Sequence, residues 1–213
     1  MKKLLQFLLA FLLSSSAIAQ VEVGVTSAVL LNASTITGFN KYTPEITFSS
    51  GVIFKINKGL FMFRPGLNYL ETGVGNVRPL TSTLEVVDRI KINNLELPLD
   101  VTFPVKIKKS KILFSVAPTF ALAVGGRTIS EVRNLTAGSQ PLSTSTQNIK
   151  FGSGTNEIKR MDFGTKFGIG FEFSDGIQIN AAIKTGFTNQ SNINNVVFKN
   201  NHIALSASWF ILR

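Results

Sequence analysis

The sequence predicts an all-β fold, an eight-stranded antiparallel up-and-down transmembrane β-barrel. Three observations predict it. Long runs alternate bulky apolar residues with small or polar ones. The links between those runs alternate long and short. The chain opens on an export leader, and no later segment is long and apolar enough for a membrane helix.

The leader begins with Lys2 and Lys3, continues through the apolar run Leu4 to Leu13, and closes with Ser14 to Ser16 and Ala17-Ile18-Ala19. The small-x-small triplet places the cleavage before Gln20. An apolar run of about ten residues falls short of the roughly 20 that a membrane helix needs. The expected organisation is therefore a signal peptide over 1–19 and a barrel over 20–213. There is no Cys, which excludes a disulfide framework, a thiolate metal site and a lipoprotein anchor. Mean hydropathy of +0.24 with only 16% charged residues is high for an exported soluble domain.

The strands are expected at Val21–Leu30, Ile46–Asn57, Leu60–Thr72, Ile92–Val105, Ile112–Val124, Met161–Ser174, Ile177–Thr188 and His202–Leu212. In the first, Glu22 points inward. The second leads into a hairpin segment from Gly51 to Gly59, with Phe54 out and Lys55 in. The third carries Arg64 inward. In the fourth, Leu95, Leu97, Leu99, Val101 and Phe103 face out, with Asn94, Glu96, Asp100 and Thr102 inward. The fifth contains Pro118. The sixth is the clearest: Met161, Phe163, Thr165, Phe167, Ile169, Phe171 and Phe173 share one face, against Asp162, Gly164, Lys166, Gly168, Gly170, Glu172 and Ser174. The seventh aims Lys184 inward. The last places Ile203, Leu205, Ala207, Trp209 and Ile211 outward and Ser206 and Ser208 inward. Successive side chains of a strand lie on opposite faces, so each run has one greasy face and one small or charged face. The second face is too polar for lipid and suits a tight interior. Pro65, Pro98, Pro104 and Pro118 each delete a ladder donor and predict a bulge or bend.

The links after strands one, three, five and seven are long, about 15, 19, 36 and 13 residues on the period-2 boundaries. The others are short: Lys58-Gly59, Lys106 to Lys111, and Asp175-Gly176. Glycine supplies the positive φ of tight hairpins at Gly59 and Gly176. Short turns on one rim and long loops on the other are the rhythm of a transmembrane barrel, with both termini on the periplasmic side. The stretch Arg127 to Arg160 has too little apolar content for a core and is expected either to be mobile or to carry a small hairpin around Asn148 to Glu157.

Eight strands enclose a lumen that side chains can fill, which argues against a wide pore. The inward charges are Glu22, Lys55, Arg64, Glu96, Asp100, Asp162, Lys166, Glu172 and Lys184. Their near balance suits a self-neutralising interior, since an unpaired charge there is costly. Glu22, Lys55, Arg64, Glu96, Asp100, Lys166, Glu172 and Lys184 are expected to form a structural ion-pair network. The glycines Gly24, Gly51, Gly66, Gly164, Gly168 and Gly170 fit close packing in a small barrel. Tyr42, Phe61, Phe63, Tyr69, Phe187, Trp209 and Phe210 are expected as interfacial girdles.

The formal charge of +10 is scattered along the chain rather than gathered for nucleic acid. The cluster Lys106 to Lys111 reads as a solvated turn, with lipid phosphates the alternative. Arg127, Arg133, Lys159 and Arg160 are candidates for contact with lipopolysaccharide phosphates. The only His, His202, is expected at the outer rim, with Ser206 on its face. No catalytic residue, metal ligand or cofactor is assigned.

The leader, the strand set and the run Asn94-Leu95-Glu96-Leu97-Pro98-Leu99 resemble the outer-membrane β-barrel domain common in Bacteroidetes and often labelled PorT-like. That family often carries a Leu-Glu-(Ile/Leu)-Pro-Leu strand near its middle. The resemblance implies an eight-stranded outer-membrane barrel. Many such barrels end on an aromatic residue read by the insertion machinery, whereas this chain ends Trp209-Phe210-Ile211-Leu212-Arg213.

The expected role is a monomeric, non-enzymatic outer-membrane protein. It presents extracellular loops for surface interaction or envelope stabilisation, with lipid, lipopolysaccharide and an unknown protein as partners. The alternatives are a soluble exported ligand-binding barrel, a lipid-modifying enzyme using His202, and a narrow channel.

Overall fold

The computed structural model describes residues 21–37, 42–135, 141–155, 157–194 and 196–212. The expected leader lies outside them. The strands are β1 (Val21–Asn32), β2 (Thr35–Ile36), β3 (Tyr42–Lys58), β4 (Phe61–Pro79), β5 (Leu84–Ile107), β6 (Ser110–Asn134), β7 (Pro141–Asn148), β8 (Met161–Glu172), β9 (Ile177–Gly186), β10 (Phe198–Lys199) and β11 (His202–Leu212). Eight of them close a ring in the order β1-β3-β4-β5-β6-β8-β9-β11, with β11 returning to β1. Every pairing in the ring is antiparallel. Strand β7 continues the sheet outside the ring by pairing with β6. The short pair β2–β10 forms a separate sheet.

The alternation of the sequence becomes an inverted barrel. Phe48, Phe167 and Leu205 are 69%, 60% and 60% exposed, while Lys184 and Gln178 are 1% and 0% exposed. Water would favour the reverse arrangement, so the solvent of the outer wall is hydrocarbon.

Three tight turns close one rim, the one expected to face the periplasm. Gly59 (φ 62°) and Gly176 (φ 86°) take the left-handed conformation. The third turn is shorter than the expected link: Ile107 pairs with Ser110, so only Lys108 and Lys109 lie between the strands. Lys108 adopts φ 55° there, a position the sequence does not advertise with glycine.

On the opposite rim the strands run beyond their expected ends. The 19-residue link after the third strand is mostly sheet: β4 reaches Pro79, β5 starts at Leu84, and a turn at Leu80 joins them through its hydrogen bond to Leu84. Strand β6 likewise continues to Asn134. Hydrophobic alternation ends where the wall leaves lipid, because Glu71, Lys91 and Arg127 then take the outward positions. Backbone pairing does not depend on side-chain polarity and continues upward.

The stretch from Arg127 to Arg160 also departs from expectation. Its hairpin is β6–β7, and where the other hairpin was expected Phe151 bridges Ile158. Nor is it without a core. Ile149, Phe151 and Ile158 pack on a buried cluster of Ile36, Val74, Ile92, Ala123 and Phe198, which caps the outer mouth. Widely spaced apolar residues in several loops supply that cap jointly, so no single loop looks apolar enough.

The prolines Pro65, Pro98, Pro104 and Pro118 do not shift register. A missing N–H removes one bond, and the pairs on either side keep the alignment. The shifts fall at Val23/Gly24, Pro44/Ser49, Asn93/Asn94 and Val132/Arg133. At the third of these, Asn93 faces Gly125 and Asn94 faces Ala123, so Val124 is the extra residue. One glycine shows why the lumen needs small residues: a Cβ on Gly51 would collide with the Leu67 carbonyl and the Asn68 side chain.

Candidate functional site

Two polar clusters fill the lumen, and alternate positions of the barrel strands build both. The lower one sits toward the rim of tight turns. Lys55 on β3 meets Glu22 on β1 at 2.8 Å and Glu172 on β8 at 3.5 Å. Glu172 also takes Lys111 at 2.7 Å and accepts from Gln178 Nε2 at 2.6 Å. Gln178 Oε1 in turn accepts from Arg64 Nη1 at 2.7 Å. Arg64 lies 3.6 Å from Asp100, which is 3.5 Å from Lys166. These side chains form one connected set, from Glu22 to Lys166.

The upper cluster centres on Lys184. Its ammonium donates to Glu96 at 2.6 Å and to Asp162 at 3.4 Å. Asn200 Nδ2 reaches Asp162 at 3.4 Å and Gln190 Oε1 at 2.6 Å. Gln190 and Asn200 belong to the link between β9 and β11, so this link dips into the mouth and seals the cluster from above. The apolar cap of Ile36, Phe198 and their neighbours packs at the same mouth.

A chamber of about 70 Å³ separates the two clusters, and its walls include Arg64, Asp100 and Lys166 from below and Glu96 and His202 from above. Arg64 Nε, Asn68 Oδ1, Asp100 Oδ1 and His202 Nδ1 have no hydrogen-bond partner among the described residues. All four residues line the chamber. A polar space of this size accommodates a few water molecules, and buried polar atoms of this kind are commonly satisfied that way.

The structure thus brings Glu22, Lys55, Arg64, Asp100, Lys166 and Glu172 into one cluster and Glu96 and Lys184 into the other. Asp162, inward in the sequence pattern, joins Lys184. Lys111, Gln178, Gln190 and Asn200 are further members. Gln178 shares the inward phase of Lys184 along β9 and was legible by that period. Lys111 was grouped with the basic turn, yet it pairs with Glu172. Gln190 and Asn200 lie in a link with no period to read.

Two other expectations change. Phe210 is not a girdle residue: it is 2% exposed, with Lys55 Nζ 4.4 Å from its ring centroid. His202 is not an open rim histidine: it is 4% exposed, and no hydroxyl or carboxylate hydrogen-bonds to it among the described residues. Phe61, Tyr69, Phe187 and Trp209 are outward and exposed. The side chain of Tyr42 lies outside the described residues.

Above the lipid belt the outward face turns ionic. Arg89 meets Glu45 and Glu131, each at 3.1 Å. Arg133 Nε donates to Glu131 at 2.9 Å, and Lys91 pairs with Glu71 at 2.9 Å. Arg127 is 4.0 Å from Glu71, with its side chain 54% exposed. Lys159 and Arg160 immediately precede β8 at its outer end. Lys159 donates to the Asn189 carbonyl, and Arg160 sits 5.6 Å from the Phe151 ring. Of the four basic candidates, Arg127 and Arg133 thus belong to the ionic ladder, while Lys159 and Arg160 make other contacts.

Solved structures similar to this chain include Neisserial surface protein A, at 11% identity and a TM-score of 0.41, covering 91% of this chain and 99% of that one. Another is Ail, the attachment invasion locus protein of Yersinia pestis, in complex with the heparin analogue sucrose octasulfate. It matches at 9% identity and a TM-score of 0.36, covering 90% of this chain and 99% of that one. No curated protein matches the sequence. The model of the outer membrane protein beta-barrel domain family matches residues 14–192, in keeping with the closed inverted barrel, and the chain belongs to that outer-membrane family.

Proposed function

We propose that this barrel is a non-enzymatic anchor that carries a rigid extracellular β-arm for surface interaction. One observation carries the reading. Strands β5 and β6 run on from the lipid belt to Leu84 and Asn134, and with β4 and β7 they extend the sheet beyond the outward apolar belt. A paired interior suits an anchor, since every buried charge has an opposite partner close by. The leader over 1–19 delivers the chain for export, and the PorT-like kinship follows from the Leu95-to-Leu99 strand. The same reading has the exposed Arg127 meet lipopolysaccharide phosphates at the head of the lipid belt, with Arg133, Lys159 and Arg160 contributing from nearby.

The native chain has no Cys, so an introduced one is a unique label. Ser145→Cys, on β7, is expected to react with an impermeant maleimide on intact cells. Lys109→Cys, in a periplasmic turn, is expected to react only after permeabilisation. The reverse pattern would overturn the topology. Neutralising Arg127, Arg133, Lys159 and Arg160 together is expected to weaken lipopolysaccharide binding by the purified barrel. Unchanged binding would remove that part of the reading.

A further inference from the structure

The arm ends in an open strand. Strand β7 pairs with β6 on one side, and among the described residues nothing pairs with its other side. All eight of its residues are exposed. The hydrogen bond from Ile149 N to the Gly126 carbonyl, 3.0 Å, sets the phase of this ladder. With Arg127 opposite Asn148 and Ser130 opposite Ser145, residues 145 and 147 turn their N–H and C=O toward β6. Thr144, Thr146 and Asn148 then turn theirs outward. The Leu135 N bond to the Thr83 carbonyl gives the same phase from the other side of β6.

Proteins usually blunt such an edge with Lys, Pro or a bulge. Here Leu142-Ser143-Thr144-Ser145-Thr146-Gln147-Asn148 has no charge and no proline, and its only register shift lies at the Pro141 end. On the neighbouring strand β6, Glu131 is already engaged with Arg89 and Arg133. A strand arriving at this edge would desolvate no free ion on β7.

Resting on the surface-presentation reading, we propose that the outer edge of β7 is a docking site for an extended polypeptide strand of another protein, added antiparallel to the arm. The edge offers alternating donors and acceptors along a straight line, about 6.8 Å apart at two residues of 3.4 Å each, and another strand is the complement of that spacing. A second copy is the less suited occupant. Two copies in one membrane hold β7 in the same direction, so their edges meet parallel, the weaker pairing. Recognition runs through the backbone, and Ser and Thr side chains leave the approach unobstructed.

The test uses the full barrel in detergent or nanodiscs and, as probe, a fluorescent octapeptide of the β7 sequence, which is free to align antiparallel. Saturable binding is expected. Thr144→Ala with Thr146→Ala should leave it within about threefold, since the backbone is unchanged. Thr144→Pro with Thr146→Pro removes only outward N–H groups and should weaken it at least about tenfold. Trp209 emission shows whether each variant is folded. The proposal is overturned by no saturable binding to a folded barrel, or by equal binding of the alanine and proline variants. A dimer in light scattering that the proline variant abolishes would also overturn it, in favour of a second copy. Labelling of Ser145→Cys on intact cells separates the failures. Label without peptide binding defeats this proposal alone, and no label defeats the presentation reading beneath it.

Discussion

Lys184 is the cation on which the upper cluster depends, and Lys184→Met tests that directly. The side chain is 1% exposed and lies between Glu96, 4% exposed, and Asp162, 1% exposed. Methionine keeps much of the stem's volume and deletes the charge. Two carboxylates are then left in a closed lumen without their ammonium. Removing one member of a buried pair costs about 3–5 kcal/mol, because the remaining charge stays desolvated and unpaired. At about 1.4 kcal/mol per decade, that is roughly a hundredfold to several thousandfold in the unfolding equilibrium. With a urea slope of about 1–3 kcal/mol/M, even 3 kcal/mol moves the midpoint down by about 1–3 M. The single tryptophan, Trp209, stands on the lipid face and reports unfolding in lipid vesicles by its emission. Adding Glu96→Gln and Asp162→Asn to Lys184→Met removes the stranded charges and should recover at least half of the loss. The reasoning is refuted if Lys184→Met alone stays within about 0.5 kcal/mol of the parent, or if the neutral triple variant is the less stable of the two.

Phe167→Arg, midway along β8 on the outer face, should cost about 2–4 kcal/mol in the same vesicles, as a charge placed in hydrocarbon; no loss would mean that this face does not meet lipid. Brominated lipid should quench Trp209 strongly, while an aqueous quencher should reach it poorly; the opposite order would remove it from the belt. Gly51→Val should destabilise by about 1–3 kcal/mol or block folding, because the Leu67 carbonyl and Asn68 occupy the space; a neutral result in a urea titration would contradict the packing. Membranes washed in high salt should retain the protein until detergent is added, and release by salt alone would restore the soluble alternative.

The ring and its contents were legible because one constraint governs both. Where a strand has lipid on one side and a narrow lumen on the other, residue type reports side-chain direction at each step. Met161 to Ser174 shows this, and so does Glu96, placed inward from the sequence and found against Lys184. The constraint ends at the edge of the membrane. Above it the outward face of β4, β5 and β6 turns ionic, so Glu71, Lys91 and Arg127 hide a sheet that the backbone continues. The apolar cap was obscured for a different reason: Ile36, Phe151, Ile158 and Phe198 come from separate loops, and only tertiary structure collects them. Phe210 was misplaced because an aromatic near a strand end fits a girdle and a lumen equally well. Its neighbour Trp209 fixes the phase that sends it inward.

The extra residue Val124 has a consequence for how this barrel can vary in length. Below it, even-numbered residues of β6 such as Phe114, Phe120 and Leu122 face lipid. Above it, odd-numbered Arg127, Glu131 and Arg133 take that side, and Gly126 turns to Ile149 and Phe151 over the mouth. A one-residue insertion or deletion here would exchange the two sides of the whole arm, driving Arg127 toward the apolar cap. A two-residue change would leave every side chain on its own side. Length drift at this point in β6 is therefore admissible in even steps, so the arm can lengthen or shorten over generations without reversing its faces.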